Sequence, residues 1–241
     1  MESIVGPLIP LTFIAMLVVE RVFPARRLPR VRGWLLKGFV GFAIAGALSA
    51  AIPAAIATAV AGHALAGLPA WAQVIVALLA TELLSYVVHR AMHTIPMLWR
   101  WTHQLHHSAE RIDIAGSAIF HPFELALRFA LAGVLIAALG IDPDAAALTG
   151  YLGFFVGTFQ HLNVRTPQWL GWIIQRPEAH SIHHARGVHA YNYGNLMLWD
   201  ILFGTFRNPV AFTADAGFWD GASSQLGRML AGRDVATKEA L

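Results

Sequence analysis

Along the chain, long apolar runs alternate with shorter stretches that carry histidine and arginine. The runs occupy residues 4–23, 34–66, 71–88, 123–139 and 145–159. A helix needs about 20 apolar residues to cross roughly 30 Å of hydrocarbon. The first and third runs meet that length. The second would be about 50 Å long as one helix, at 1.5 Å per residue. That is too long for a straight crossing, so either Pro53 kinks it or its end leaves the membrane. The fourth and fifth runs are short and joined by a tight turn at 141–144. They either cross as a hairpin or only dip into the bilayer. The pattern predicts an all-α integral membrane protein with about four to five transmembrane helices.

Composition supports this reading. The 241-residue chain is 56% hydrophobic and 13% charged, against about 25% charged residues in soluble domains. Its mean hydropathy is +0.55. Such a chain needs lipid to solvate part of its surface. The first residues lack a basic region, and no small-residue cleavage site follows the first apolar run. This run therefore reads as a retained membrane helix.

Charge then orients the chain. Arg21, Arg26, Arg27, Arg30, Arg32 and Lys37 cluster between the first two runs, with only Glu20 against them. With five crossings and the N-terminus outside, all 17 Lys and Arg residues fall on the inner side. The outer segments carry Glu2, Asp142 and Asp144. Eleven of the twelve histidines, His89 through His189, then lie at or beyond the inner surface, and His63 lies at the outer turn. The cytoplasmic face thus carries a helical, histidine-rich cap. The sequence pI of about 9.7 reflects arginines set between apolar spans, so no nucleic-acid partner is expected.

The chain divides into N-terminal membrane helices (1–70), a catalytic segment (71–207) and a C-terminal surface tail (208–241). The last 20 residues are polar and mixed, and read as a surface helix or frayed end.

The chain contains no cysteine. This excludes disulfides, iron–sulfur clusters, thiolate-ligated haem and cysteine nucleophiles. Histidine remains as the metal ligand, in three clusters: His89-x-x-x-His93, His103-x-x-His106-His107 and His180-x-x-His183-His184. Positions i, i+3 and i+4 share a helix face, so each cluster offers its imidazoles toward a common point. Eight nitrogens exceed the needs of one ion and fit two. Without metal, buried donors left unpaired would cost roughly 1–3 kcal/mol each. Imidazole suits zinc, copper, iron and nickel alike. The chain has no HExxH zincin motif and no Glu-x-x-His of the soluble carboxylate di-iron bundles. Spacing alone defines a histidine-rich dinuclear site at a membrane surface.

Glu82 lies seven residues before His89, two turns away on the same face. A carboxylate at that depth needs a partner. The second N–H of a ligand imidazole would serve, with an arginine as the alternative. Glu124 and Asp200 suit similar roles, and Asp200 alternatively anchors the C-terminal part.

The order HxxxH, HxxHH, HxxHH in a multispan protein resembles the fatty acid hydroxylase/sterol desaturase superfamily. Four further stretches carry the resemblance: Glu82 ahead of the first cluster, His121-Pro-Phe-Glu124 after the second, Gln160-His161-Leu-Asn163 before the third, and Asn192-Tyr193-Gly194 with Trp199-Asp200 through Thr205 after it. It covers roughly residues 71–207. Two features depart from it: Ile201 stands where members often carry a basic residue, and His189 is an extra histidine, read as a surface residue or a support for a ligand.

The resemblance implies a non-haem centre of two iron ions that uses O2 to hydroxylate or desaturate a lipid C–H bond. It assigns metal-ligand roles to His89, His93, His103, His106, His107, His161, His180, His183 and His184. His121, Glu82, Asn163, Glu124 and Asp200 become supporting residues behind the ligands. Electrons would come from outside, and the basic inner surface suits an acidic carrier such as a ferredoxin or a cytochrome b5-like protein. Phe120, Phe154, Phe155, Trp99 and Trp101 are candidates for lining a substrate channel or for ordinary packing. The competing readings are a membrane metal-binding or transport protein, and a zinc-dependent hydrolase using the same ligands.

Overall fold

The computed structural model describes residues 2–213 and 215–237. Its elements are helical, joined by turns and two isolated bridges. Four helices are long and apolar enough to cross a membrane: α1 (Glu2–Val22), α2 (Trp34–Ala57), α3 (Ala70–Thr94) and, later in the chain, the helix at Pro122–Leu139. Few of their residues are buried within the protein, and their apolar side chains face outward along most of their length. This is the surface expected of helices solvated by lipid. The chain is an integral membrane protein.

The long second run resolves into one helix that ends at Ala57 and contains Pro53 near its end. Residues 58–69 leave the helix and cap the hairpin formed later in the chain: Gly62 N donates to Ala137 O and Leu65 N to Leu139 O. Gly62 is required there, because a Cβ would collide with the carbonyl of Ala138.

After α3 come one short turn, α4 (Pro96–Leu98), a π-helical segment (Trp99–His103) and α5 (Gln104–His107). Then α6 (Pro122–Leu139) and α7 (Pro143–Phe159) form the hairpin. Each starts with proline at its first position, where a missing N–H costs nothing. Gly140, at φ 67°, ends α6 in the left-handed conformation. Asp142 caps α7 by accepting from Asp144 N. α6 starts beside the histidines and α7 ends beside them, so the two run an equal distance out and back. At 17 residues α7 spans about 26 Å. The fifth run therefore forms a helix about as long as α6 and antiparallel to it.

The remaining elements are α8 (Pro177–His183), α9 (Met197–Leu202) and α10 (Leu226–Leu230). α2 packs on α6, and α7 on both α1 and α3. Part of the segment expected to form a surface tail, between residues 216 and 235, is drawn into the core. Phe218, Ala222, Met229 and Val235 are buried with Trp34 and Leu105. Gln104 Nε2 donates to Arg233 O, and Trp219 Nε1 to Val235 O. The sequence pattern hid this because few side chains make the contact and the backbone supplies much of the rest. Residues 238–241 lie outside the described residues.

Candidate metal centre

The nine expected ligands converge, in two groups. His89, His93, His103, His107 and His183 form one; His106, His161, His180 and His184 form the other. Within each group the ligand atoms lie within 4.8 Å of one another. Each HxxHH cluster is thus divided between two points and does not serve one. At about 100° per residue, the i+4 histidine sits about 40° to one side of the first and the i+3 histidine about 60° to the other. His103 and His107 therefore stay together while His106 turns to the second group. His180 and His184 stay together while His183 crosses to the first. Each cluster bridges the two sites.

The π-helical turn sets up the second cluster. Gln104 N donates to Trp99 O, five residues back. Such turns recur at functional sites because they re-aim the side chains that follow.

The ring protons are fixed by oxygen acceptors. Nδ1 of His89 donates to Tyr193 O (2.7 Å), that of His103 to Glu124 Oε1 (2.8 Å), and that of His106 to Ile119 O (3.2 Å). Nδ1 of His161 donates to Gly157 O (2.9 Å) and that of His183 to Tyr191 O (2.8 Å). With the proton on Nδ1, Nε2 of a neutral ring is a bare lone pair. Yet Nε2 of His89 lies 2.8 Å from Nε2 of His103, and Nε2 of His106 lies 3.1 Å from Nε2 of His161. Neither pair has a proton to share. Nε2 of His93 and of His183 are also buried with no partner among the described residues. Converging, desolvated lone pairs are repulsive unless a cation lies among them. The donor set therefore fits two metal ions of the imidazole-accepting kind.

Burial keeps the rings neutral. Desolvation first, and neighbouring imidazoles second, hold His103, His107, His180 and His184 well below the ordinary histidine value. His161 is lowered to about 4 by burial. Neutral imidazole is the form that binds metal.

Behind the first group lies the loop 189–193. His93 is hydrogen-bonded to the backbone of His189, His183 to Tyr191 O and His89 to Tyr193 O. Alternate residues thus hold three ligands. The loop adopts a conformation that side chains disfavour: His189, Tyr191 and Asn192 have φ of 41°, 68° and 48°. Strain of roughly 1–3 kcal/mol per residue persists only where surroundings impose it. Asn192, fully buried, donates to Ala179 O and Arg207 O and accepts from Arg207 N. Asp200, also fully buried, accepts from Tyr193 N (2.8 Å), Gly194 N (2.7 Å) and Thr205 Oγ1 (2.6 Å). Its role is to anchor this loop. His189 is half-buried and its Nδ1 lies 3.0 Å from Nδ1 of His107.

The other supporting residues separate. Glu124 accepts from His103, one of the converging rings, and is itself paired with Arg128 (2.9 Å). Glu82 does not touch an imidazole: its Oε1 accepts from Asn195 Nδ2 (3.0 Å). Two turns of helix carry it too far up α3 to reach the rings. His121 caps α6, its Nδ1 accepting from Phe123 N (3.1 Å), and lies in neither group of converging nitrogens. Asn163 ties the arginine-rich loop down, donating to Arg26 O and accepting from Ala25 N. Of the aromatics, Phe120 stacks on His106 (4.1 Å between centroids) and Trp99 packs on His93 and His107. Phe154 and Phe155 belong to an apolar cluster around Phe13, and Trp101 is exposed beside Phe123. Sequence reasoning missed the carbonyls of 189–193 as supports, since backbone oxygens leave no mark in a sequence. Their signal was the unusual Asn192-Tyr193-Gly194 motif itself.

A helical membrane protein with paired polyhistidine sites at one end of its bundle is the class this geometry defines. Comparison with known proteins narrows it. The family described as fatty acid hydroxylase matches residues 74–205, and the chain belongs to that family. It is similar to ornithine lipid hydroxylase OlsE of Rhizobium tropici, at 34% identity over 73% of this chain and 55% of that protein. It is similar also to alkylglycerol monooxygenase of Xenopus tropicalis, at 31% identity over 50% of this chain and 27% of that protein. A putative Delta(7)-sterol-C5(6)-desaturase 2 of Arabidopsis thaliana shares 30% identity over 56% and 48%. The chain spans about half the length, or less, of these curated relatives. No solved structure matches it.

Proposed function

We propose that this protein is a membrane-bound lipid hydroxylase, or desaturase, that holds two iron ions in its nine histidines and uses O2 with electrons from outside. The observation that carries the reading is the convergence of Nδ1-protonated rings on bare Nε2 pairs. It calls for two cations at one end of a helical bundle, and the named relatives act on lipids.

The reaction for hydroxylation is R–H + O2 + 2 e⁻ + 2 H⁺ → R–OH + H2O. Bound ferrous iron supplies the electron-rich centre at which O2 is reduced and a C–H bond oxidised. His89, His93, His103, His107 and His183 would hold one ion, and His106, His161, His180 and His184 the other. The chain's own residues keep Nε2 unprotonated in five of the nine rings, through the carbonyls of 157, 119, 191 and 193 and the carboxylate of Glu124. They also exclude water, since eight of the nine rings are buried and His93 nearly so. The substrate chain would come from the bilayer, between the membrane helices. The positive-inside bias supports a site on the cytoplasmic face. Exposed Arg90, Arg100, Arg186 and Arg207 at that end suit an acidic donor such as a ferredoxin or cytochrome b5-like protein.

The competing readings lack support in the geometry. Among the described residues no carboxylate stands with the converging nitrogens to act as a hydrolytic base; Glu124 accepts from His103 and Glu82 from Asn195. A transport path would string ligands across the span, whereas all nine sit at one end. The test is purification without oxygen, followed by metal analysis and incubation with lipid extract, reductant and O2. About two irons per chain and an O2-dependent oxidised lipid are expected. Stoichiometric zinc without O2 reactivity would overturn the reading.

A further inference from the structure

α9 turns its two faces to different surroundings. Met197 and Asp200 are fully buried, while Leu198, Ile201 and Leu202, at helical spacing i, i+3 and i+4, are exposed. The turn of 3-10 helix at Gln168–Trp172 behaves alike: Trp169, Trp172 and the following Ile173 are exposed at the same spacing, each with more than half its surface free. The two segments are joined side by side. Met197 N donates to Ile173 O, Gln175 N donates to Asn195 O, and Ile174 bridges Leu196. Together they present a continuous apolar patch with two tryptophans, far more than scattered exposed residues would give.

The patch also lies beside a membrane span. Just before α9, Asn195 hydrogen-bonds Glu82; just after it, Phe203 stacks on Tyr86 at 5.1 Å between centroids. Both partners belong to α3. Glu82 is 12 residues from the end of α3 at Thr94, which places it about 18 Å up the helix. The segment that carries α9 therefore meets a spanning helix at two positions about one turn apart, so its outward apolar face continues the lipid-facing surface of the bundle. Exposed Arg165 and Arg207 flank the patch, as cationic anchors flank an embedded segment.

We propose that α9 and residues 168–173 form a membrane-embedded surface: they insert into the inner leaflet, with Trp169 and Trp172 at the headgroup boundary and Leu198, Ile201 and Leu202 among the acyl chains. The occupant is the bilayer itself. The inference rests on the fold and needs no metal. Under the function proposed above, it would bring acyl chains to the wall of the metal centre, since Asp200 on the buried face anchors the loop that holds His89.

The cysteine-free chain makes the test direct, because one introduced cysteine is unique. Leu202→Cys, Trp169→Cys, Val134→Cys and Ser224→Cys would each carry a nitroxide label. The full-length protein would be reconstituted in vesicles of phosphatidylethanolamine and phosphatidylglycerol. Val134 is lipid-facing on α6, and Ser224 is exposed outside the spans. Labels at 202 and 169 should be relaxed by O2 and shielded from a water-soluble nickel chelate, with 202 matching 134. Leu202→Lys should lower the depth recorded by a label at 169. Equal access to the chelate at 202 and 224 would overturn the proposal. So would shielding from both reagents, which would show a second protein copy covering the patch. Failure of lipid oxidation with correct depth would count against the functional reading alone.

Discussion

Replacing Asp200 by Asn tests whether the strained loop serves the metal centre. The carboxylate is fully buried and accepts three hydrogen bonds, two of them from the backbone of Tyr193 and Gly194. Asn presents one oxygen and one NH2, so at least one of the three donors faces another donor. A hydrogen bond to a charged group contributes about 1.5–3 kcal/mol, and the left-handed residues 189, 191 and 192 store strain that this clamp opposes. Once loosened, the loop no longer fixes the Nδ1 protons of His89, His93 and His183. All three belong to the five-histidine group, and none to the other. A loss of about 2 kcal/mol at one site corresponds to roughly 30-fold in affinity, within the 10- to 100-fold typical of residues that orient ligands. Anaerobic titration with ferrous ion should therefore show one binding constant weakened by that factor and the other unchanged. Circular dichroism should report intact helices. Two unchanged constants, or equal weakening of both, would refute the reasoning.

Glu124→Gln keeps an acceptor for His103 but removes its charge and sets an NH2 against Arg128; it should weaken the same site about tenfold, and Glu124→Ala more, in that titration. Glu82→Gln, which touches Asn195 and no ligand, should leave both constants within about twofold. His161→Ala should reduce bound iron from about two to one per chain by depleting the four-histidine group, and elemental analysis reads this directly. For acid sensitivity, His161 is lowered to about 4 in the folded protein, against about 6.5 unfolded. The unfolded state then binds more protons below pH 6.5, so stability rises with pH between about 4 and 6.5. The metal-free protein in detergent should lose roughly 3 kcal/mol per such group across that window, seen as a falling Tm, with no comparable change between pH 7 and 8.

Much of the architecture was legible because lipid imposes a simple rule on apolar length. The runs at 4–23 and 71–88 needed only a residue count, whereas the short run at 123–139 did not settle from its length. The end of α2 at Ala57 was not legible, because residues 58–66 remain mostly apolar yet leave the helix to cap a hairpin far along the chain. All nine converging histidines were readable as candidates from spacing and resemblance, but not their partition. Helical spacing says which rings share a face. Only the second helix brought opposite decides that His106 and His183 trade sides. The supports divide by the same logic. Glu124 sits at the start of α6 against the rings, whereas Glu82 is two turns too far away. The C-terminal segment looked peripheral because its buried contacts depend on a few residues, Met229 and Val235 among them, scattered in polar sequence.

In the proposed function the two histidine groups hold two irons that oxidise lipid. Mössbauer spectroscopy of protein grown on iron-57 and purified without oxygen tests it most directly, before and after addition of O2 and lipid extract. Two high-spin ferrous sites in near-equal amounts are expected, both oxidised on exposure to O2, with an oxidised lipid formed in proportion. A single iron site, or two that stay ferrous in O2 with lipid present, would contradict it.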